Sequence, residues 1–539
     1  MRWIGSETFW LARLVYQRCL ALVLLLAFLN AAFEFKPLLG EHGLLPVPLF
    51  TKAVSFCSSP SLFFFAPHDT AFTIAAWLGV LLACLALTGI GDRYRTWFSM
   101  LVWTMLWVLY LSFVNVGQIF YAFGWESILL EASFYAIFLG SRRAKPQTIA
   151  VWLLRWLLFR LMFGAGLIKM RGDSCWRDLT CLDYHYETQP MPGPLSWFFH
   201  CAPTWFHKSG VLFNHFSELV VPFGYFLRQP IPAIAGAITI AFQLLIFAGG
   251  NLSWLNALTV VLAVSTFDDR LLARFLTIRR PATQRPAQAH RLSTIGVGIL
   301  VAILSIQPIR NMLSPLQLMN TVYNRFHLVG TYGAFGSITR PRYEVIVEGT
   351  DEPLLTTSTR WREYEFKGKP GSLGRIPPQI APYHLRLDWL MWFAAMSSYE
   401  EQPWFTPFML KLLEGDCAVL SLLRTNPFPD RPPRHVRALL YEYHFTTPVE
   451  RASTAQWWTR KLMGTYFPPI SEGSRLPGLS GWAGSPRISM RARWRPLQLA
   501  AAGFSRQFCG RRLALGHGEL KFAATRCGVR HVITGECLG

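Results

Sequence analysis

Nine apolar runs, most of them about as long as a bilayer is thick, follow one another between Trp10 and Ile309, and no other feature of the chain restricts its fold as severely. They lie at 10–33, 71–90, 97–121, 124–140, 150–170, 211–227, 231–249, 251–267 and 293–309. A helix crosses the hydrocarbon with about 20 residues. Inside it, only helices and closed barrels satisfy every backbone donor and acceptor. The runs therefore specify an α-helical polytopic membrane protein of about nine spans. Composition agrees, because 15% of the residues are charged against about 25% in soluble domains. The runs 124–140, 211–227, 251–267 and 293–309 are short, and 124–140 also carries Glu126 and Glu131, so a tilted or re-entrant course is open to it as well as a full span. The first run is too long for the core of a signal peptide and lacks a small-residue cleavage motif, so it reads as a retained span.

A net charge of +21 suggests nucleic acid until its distribution is considered. Arg93 and Arg95 follow the second run, Arg142, Arg143 and Lys145 the fourth, Arg228 the sixth, and Arg270, Arg274, Arg279, Arg280, Arg285 and Arg291 the eighth. In a nine-span chain these loops share one side. Lys and Arg mark the cytoplasmic side, so the N-terminus is cytoplasmic and everything beyond about 310 is on the opposite face. The partner implied is a lipid bilayer, not nucleic acid.

Beyond residue 310 the pattern changes. RYEVIVEG (342–349), REYEFKG (362–368) and LLYEYHF (439–445) alternate apolar and polar residues as half-buried strands do, and 388–398 and 403–415 read as short helices. Three parts result: a transmembrane part, 1–310; a mixed, β-rich non-cytoplasmic part, 311–470; and a basic tail, 471–539, expected to be poorly ordered. The tail holds ten Arg and one Lys against three Glu.

Charges at bilayer depth are expensive and face a protein interior. Here they are Glu126, Glu131, Arg155, Arg160, Lys169 and Glu218, with His215 beside them. Pairing of Glu126 or Glu131 with Arg155 or Arg160 is the simplest arrangement. Such pairs either join helices or line a site for a small substrate or lipid headgroup. The segment 171–210 concentrates further chemistry in Cys175, Trp176, Arg177, Asp178, Cys181, His185 and Glu187. His185 with Glu187 would suit acid–base work, but two residues apart they share a face only in extended chain. No nucleophile, metal set or phosphate loop completes a catalytic constellation there. The ten Cys contain no CxxC or zinc spacing, so no metal and no cofactor is implied. Cys175 and Cys181 fall on the side where a disulfide is permitted.

Several segments, in order, resemble the lipase maturation factor family. They include VNVGQIFYAFGWESILLE (114–131), RWLLFRLMFGAGLIKMRGDSCWRDLTCLDYHYETQPMPGPLSW (155–197), FNHFSELVVPF (213–223), YEVIVEGT (343–350), APYHLRLDWLMWFAAM (381–396) and WWTRKLMGTYFPP (457–469). The resemblance implies a multi-pass protein of the endoplasmic reticulum membrane that helps secreted dimeric lipases, lipoprotein lipase among them, reach an active fold. It implies no catalytic residues. It stops after Ser471. The sequon Asn251-Leu252-Ser253 abuts a span; the lack of usable glycosylation sites fits a bacterial member, whose place would be the plasma membrane.

GEHGLLP (40–46) is similar to a wider group that includes the vitamin K-dependent carboxylase, which keeps open a membrane enzyme acting on a small or lipid substrate. A transporter is a third class, but no inverted repeat supports it. Restored lipase activity would favour the folding factor. A small molecule held near Glu131 and Arg160 would favour the enzyme.

Overall fold

The structure is a computed structural model that describes residues 9–472 apart from Tyr94 and Arg279. The basic tail expected from 471 onward lies almost wholly outside the described residues.

Among the described residues the bundle is built from the helices α1 (Trp10–Asn30), α2 (Asp69–Thr88), α3 (Thr96–Val116), α4 (Gly124–Ile137), α5 (Thr148–Arg171), α6 (Thr204–His215), α7 (Ile231–Gly249), α8 (Leu255–Ala263) and α9 (Gln288–Leu304). α1 continues through a π turn, Ala31–Phe35, to Leu39, and α9 continues to Leu313. Among the described residues, six are long and apolar enough to cross a membrane: 10–39, α2, α3, α5, α7 and 288–313. The protein is thus a polytopic helical membrane protein, and six is fewer than the nine spans read from the apolar runs. The other three fall short for local reasons. α4 runs for 14 residues. α6 passes into a π turn and then a 3-10 segment begun by Val221-Pro222, where Pro lacks an N–H to continue the ladder. α8 tightens into a 3-10 turn at Val264–Thr266.

The connecting segments gather at two ends. At one, Asp269 caps α1 from 259 positions away, accepting from the Trp10 and Leu11 amides at 2.8 and 2.7 Å; a carboxylate there satisfies orphan donors and the helix dipole. The Trp10 indole donates to the Arg142 carbonyl (2.9 Å), and Lys145 and Gln284 are joined through backbone (3.0 Å). The loops that carry the basic residues thus meet at this end. At the other, Asn115 donates to the Pro60 carbonyl (2.7 Å) and Arg171 to Gln317 (2.9 Å).

A four-stranded antiparallel sheet follows the bundle, in the order β2 (Arg362–Glu363), β1 (Arg342–Thr350), β5 (His435–Phe445), β6 (Trp458–Ser471). β3 (Glu365–Phe366) and β4 (Leu423–Thr425) pair separately. α10 (Arg386–Ala394) and α11 (Phe405–Leu413) pack beside the sheet. The β1 register places Val345 opposite Leu440 and Val347 opposite Ala438. The segment 362–368 is broken into two-residue strands, and β6, at 14 residues the longest, was not among the strands read from alternation. Its shifts of register with β5 interrupt the two-residue period.

Candidate functional site

Buried charge clusters tie the molecule together, and three of them involve α4 or α5. In the first, Arg160 of α5 forms a salt bridge with Glu131 of α4. Tyr332 donates to Glu131 Oε2 (2.7 Å), and Arg160 also reaches the Gly330 carbonyl (2.6 Å). One carboxylate thus holds two helices and the segment after α9. In the second, Arg386 of α10 bonds Glu126 at the start of α4 (2.8 Å), the Phe120 carbonyl (2.7 Å) and Asn30 Oδ1 (2.7 Å). Its amide donates to Glu34 (3.0 Å), its guanidinium lies 3.5 Å from the Tyr121 ring centroid, and Tyr110 also donates to Glu126. Next to it, His384 is enclosed by the rings of Phe123, Trp125, Trp254 and Trp389. Burial, with Arg386 adding, lowers its pKa to about 4. In the third, Lys169 of α5 bonds both oxygens of Glu218 (2.7 and 2.8 Å) and Asn214 Oδ1 (2.8 Å).

Among the described residues, Arg155 meets no acid. It donates to the Ser265 and Tyr225 carbonyls at 2.9 and 3.0 Å. Both stand in 3-10 segments where helices end, and terminal carbonyls lack intrahelical partners. Of the simple pairings read from the sequence, only Glu131 with Arg160 occurs. Glu126 takes a partner 260 positions away, beyond reach of any local pattern.

The 171–210 segment is largely helical. Asp173 caps the short helix Ser174–Arg177. Its carboxylate is held below the usual range, first by hydrogen bonds from Arg340 at 2.6 and 2.9 Å. Cys175 and Cys181 form a disulfide. Trp176 donates to the Phe335 carbonyl (2.8 Å), and His215 meets the Trp176 carbonyl (2.9 Å). Arg177 is exposed and caps the Met170 carbonyl (2.7 Å), and Asp178 is exposed. His185 and Glu187 do not form an acid–base pair. They lie in the helix Leu182–Thr188, where a spacing of two turns them apart. Glu187 instead accepts from the Phe445 amide (2.6 Å) and meets His444 Nδ1 at 3.1 Å. His185 is driven to a pKa of about 4 by burial, with the Lys169 charge assisting.

Three elements escaped sequence reasoning. Arg342 and Lys369 share Glu344 in a buried triad, and Arg342 also holds the Glu187 carbonyl (2.8 Å). Opposite charges two apart on one strand face, at 342 and 344, are the signal that would have found part of it. Asn251 is buried at the crossing of three segments, bonding the Pro192 and Pro378 carbonyls (3.0 and 2.9 Å) and the Ile380 and Ala381 amides (2.7 and 2.8 Å). The third is a cavity of about 350 Å³ between α5, α6, α7 and α8, lined by Lys169, Asn214 and Glu218 among mostly apolar side chains. A smaller cavity of about 140 Å³ shares His185, Leu252 and Phe335 with it and extends to Trp389. Among the described residues no group of His, Cys, Asp and Glu is arranged to hold a metal ion.

Residues 11–274 match the family model described as the lipase maturation factor transmembrane domain, and 328–468 match the lipase maturation factor C-terminal domain. Lipase maturation factor 1 of Bos taurus is 45% identical over 506 residues, covering 87% of this chain and 90% of that protein. The Homo sapiens protein of that name is 44% identical over 505 residues, with 87% and 89% covered. Lipase maturation factor 2 of Xenopus laevis is 30% identical over 595 residues, with 85% and 82% covered. No solved structure matches.

Proposed function

Because this chain belongs to the lipase maturation factor family, we propose that it is a membrane-bound factor that brings secreted lipases, such as lipoprotein lipase, to their folded and assembled form. The observation that carries this reading is the similarity of 44–45% over most of the chain, which includes both family regions. The ion pair of Arg386 with Glu126 and the triad at Glu344 support a sheet region held firmly against the bundle. A folding factor needs a fixed surface, not an active site.

The location that goes with this role is the endoplasmic reticulum membrane. α4, α6 with its continuation, and α8 complete nine passages, with the basic loops in the cytosol and 311–470 in the lumen as a β-rich client-facing part. The opposite gathering of the two sets of loops supports that topology. The polar residues of 171–210 then act as scaffold between membrane and lumenal part.

The test is complementation in cells lacking the endogenous factor, with a panel of secreted lipases. Restored activity of the dimeric lipases is expected. Unchanged activity across the panel, with this chain present and folded, would refute the reading.

A further inference from the structure

The 350 Å³ cavity has the size of small-molecule sites, which span about 300–1,000 Å³. Its walls are helical faces. α6 contributes Phe206, Gly210 and Phe213, and α7 contributes Phe242, Leu245 and Ile246, spaced as one stripe of each helix. Leu245 is 55% exposed, so the cavity opens between α6 and α7 on the outer surface of the bundle. Leu212 and Leu244 of the same two helices lie outside the lining and are exposed apolar residues, the kind of surface that lipid chains cover.

The polar groups inside are not equivalent. The Lys169 charge is already matched by Glu218 at 2.7 and 2.8 Å. An anion entering would meet that carboxylate, and a cation would meet the ammonium. Asn256 is 2% exposed and lines the cavity. Its amide donates to Gln243 Oε1 (2.8 Å), which fixes its orientation, and its Oδ1 has no partner. Leaving a buried acceptor unpaired is costly. His185 Nδ1, on the same cavity, also has no partner. An imidazole whose pKa has fallen to about 4 is neutral at physiological pH. The interior therefore offers an apolar wall, a neutralised ion pair and an acceptor in need of a donor.

We propose that this cavity binds a single-chain neutral amphiphile, entering between α6 and α7, with its acyl chain along the apolar faces and a headgroup hydroxyl donating to Asn256 Oδ1. The ligand class is a monoacylglycerol-type lipid. It is a resident ligand or regulator of the bundle, and no covalent step is involved.

The test uses the full chain in phosphatidylcholine nanodiscs, photolysed with a diazirine-bearing monooleoylglycerol. Saturable labelling is expected at cavity-lining positions such as Phe213 and Leu245. Unlabelled monooleoylglycerol competes about tenfold better than lysophosphatidate of the same chain, a difference of about 1.4 kcal/mol. Ala165 of α5 lines the cavity; Ala165→Phe, which fills it, lowers labelling about tenfold without lowering the Tm, and Asn256→Leu abolishes the preference for monooleoylglycerol over methyl oleate, which has no hydroxyl. Labelling spread over Leu212 and Leu244 that no competitor reduces would overturn the proposal, as would equal competition by lysophosphatidate. Should Ala165→Phe fail to fold, the wild-type labelling map and competition decide by themselves.

Discussion

Arg386 is paired with Glu126 across 260 positions of sequence, at 2.8 Å and with neither side chain exposed to solvent. One partner opens α4 and the other opens α10, so the pair fastens the membrane bundle to the region that carries the sheet. Breaking a buried pair by removing one partner costs about 3–5 kcal/mol, because the remaining charge stays buried. Arg386→Met should therefore sharply reduce detergent-extracted monodisperse protein. Glu126→Gln added to it should recover part of the loss. Strictly additive losses would show that the two residues are not coupled.

The two arginines of α5 should behave differently. Arg160→Leu leaves Glu131 buried without its cation, and Glu131→Gln should partly compensate. Arg155→Leu leaves carbonyls, not an acid, without donors, and no Glu→Gln change should rescue it. Folded yield of the double variants measures both. Rescue of Arg155→Leu by Glu126→Gln or Glu131→Gln would contradict the structure.

Stability should fall in mild acid. His185, His327 and His384 have folded pKa values of about 4, lowered from 6.5 chiefly by burial. The unfolded chain binds these protons near 6.5 and the folded chain does not. Their contribution is thus fully present above 6.5 and is lost as pH falls from 6.5 towards 4, by up to about 1.4 kcal/mol per pH unit for each His. Thermal melts of the purified protein between pH 7 and pH 5 should show the decline, and His384→Phe should flatten it. A Tm independent of pH over that interval would count against neutral buried imidazoles.

Asn251 should carry no glycan in spite of its sequon, since it is 1% exposed and engaged on both ends of its amide. Endoglycosidase should leave the electrophoretic mobility unchanged. Asn251→Ala strands two backbone amides, each costing about 1–3 kcal/mol when buried, and should lower the Tm. A mobility shift lost in Asn251→Ala would contradict this placement.

The sidedness is also accessible. Cys57, Cys201 and Cys417 are exposed free thiols. In sealed microsomes an impermeant maleimide should label them only after permeabilisation, whereas a cysteine at Arg285→Cys should react at once. The reverse order would invert the proposed topology.

The sequence made the bundle legible because length and hydropathy alone define a membrane helix. It marked four of the nine runs as short but not the reason, because an apolar run does not reveal where the helix inside it breaks, as at Val221-Pro222. The Glu131–Arg160 pair was legible because both residues are intramembrane and opposite in sign. Arg386, Tyr332 and Asn251 were not, because their partners come from segments that only the tertiary fold brings together. His185 and Glu187 were found as residues, but whether they pair was left open, since their relation depended on whether the segment was extended or helical.

The central claim is a role in lipase maturation, and the dimer fraction and specific activity of lipoprotein lipase tests it most directly. The lipase is synthesised in cells lacking the endogenous factor, with this chain or with its Arg386→Met variant, and secreted lipase is measured by sedimentation and by activity per unit mass. The account predicts active dimer with the intact chain and inactive, aggregated lipase with the variant. Inactive lipase in the presence of intact, membrane-inserted chain would contradict it.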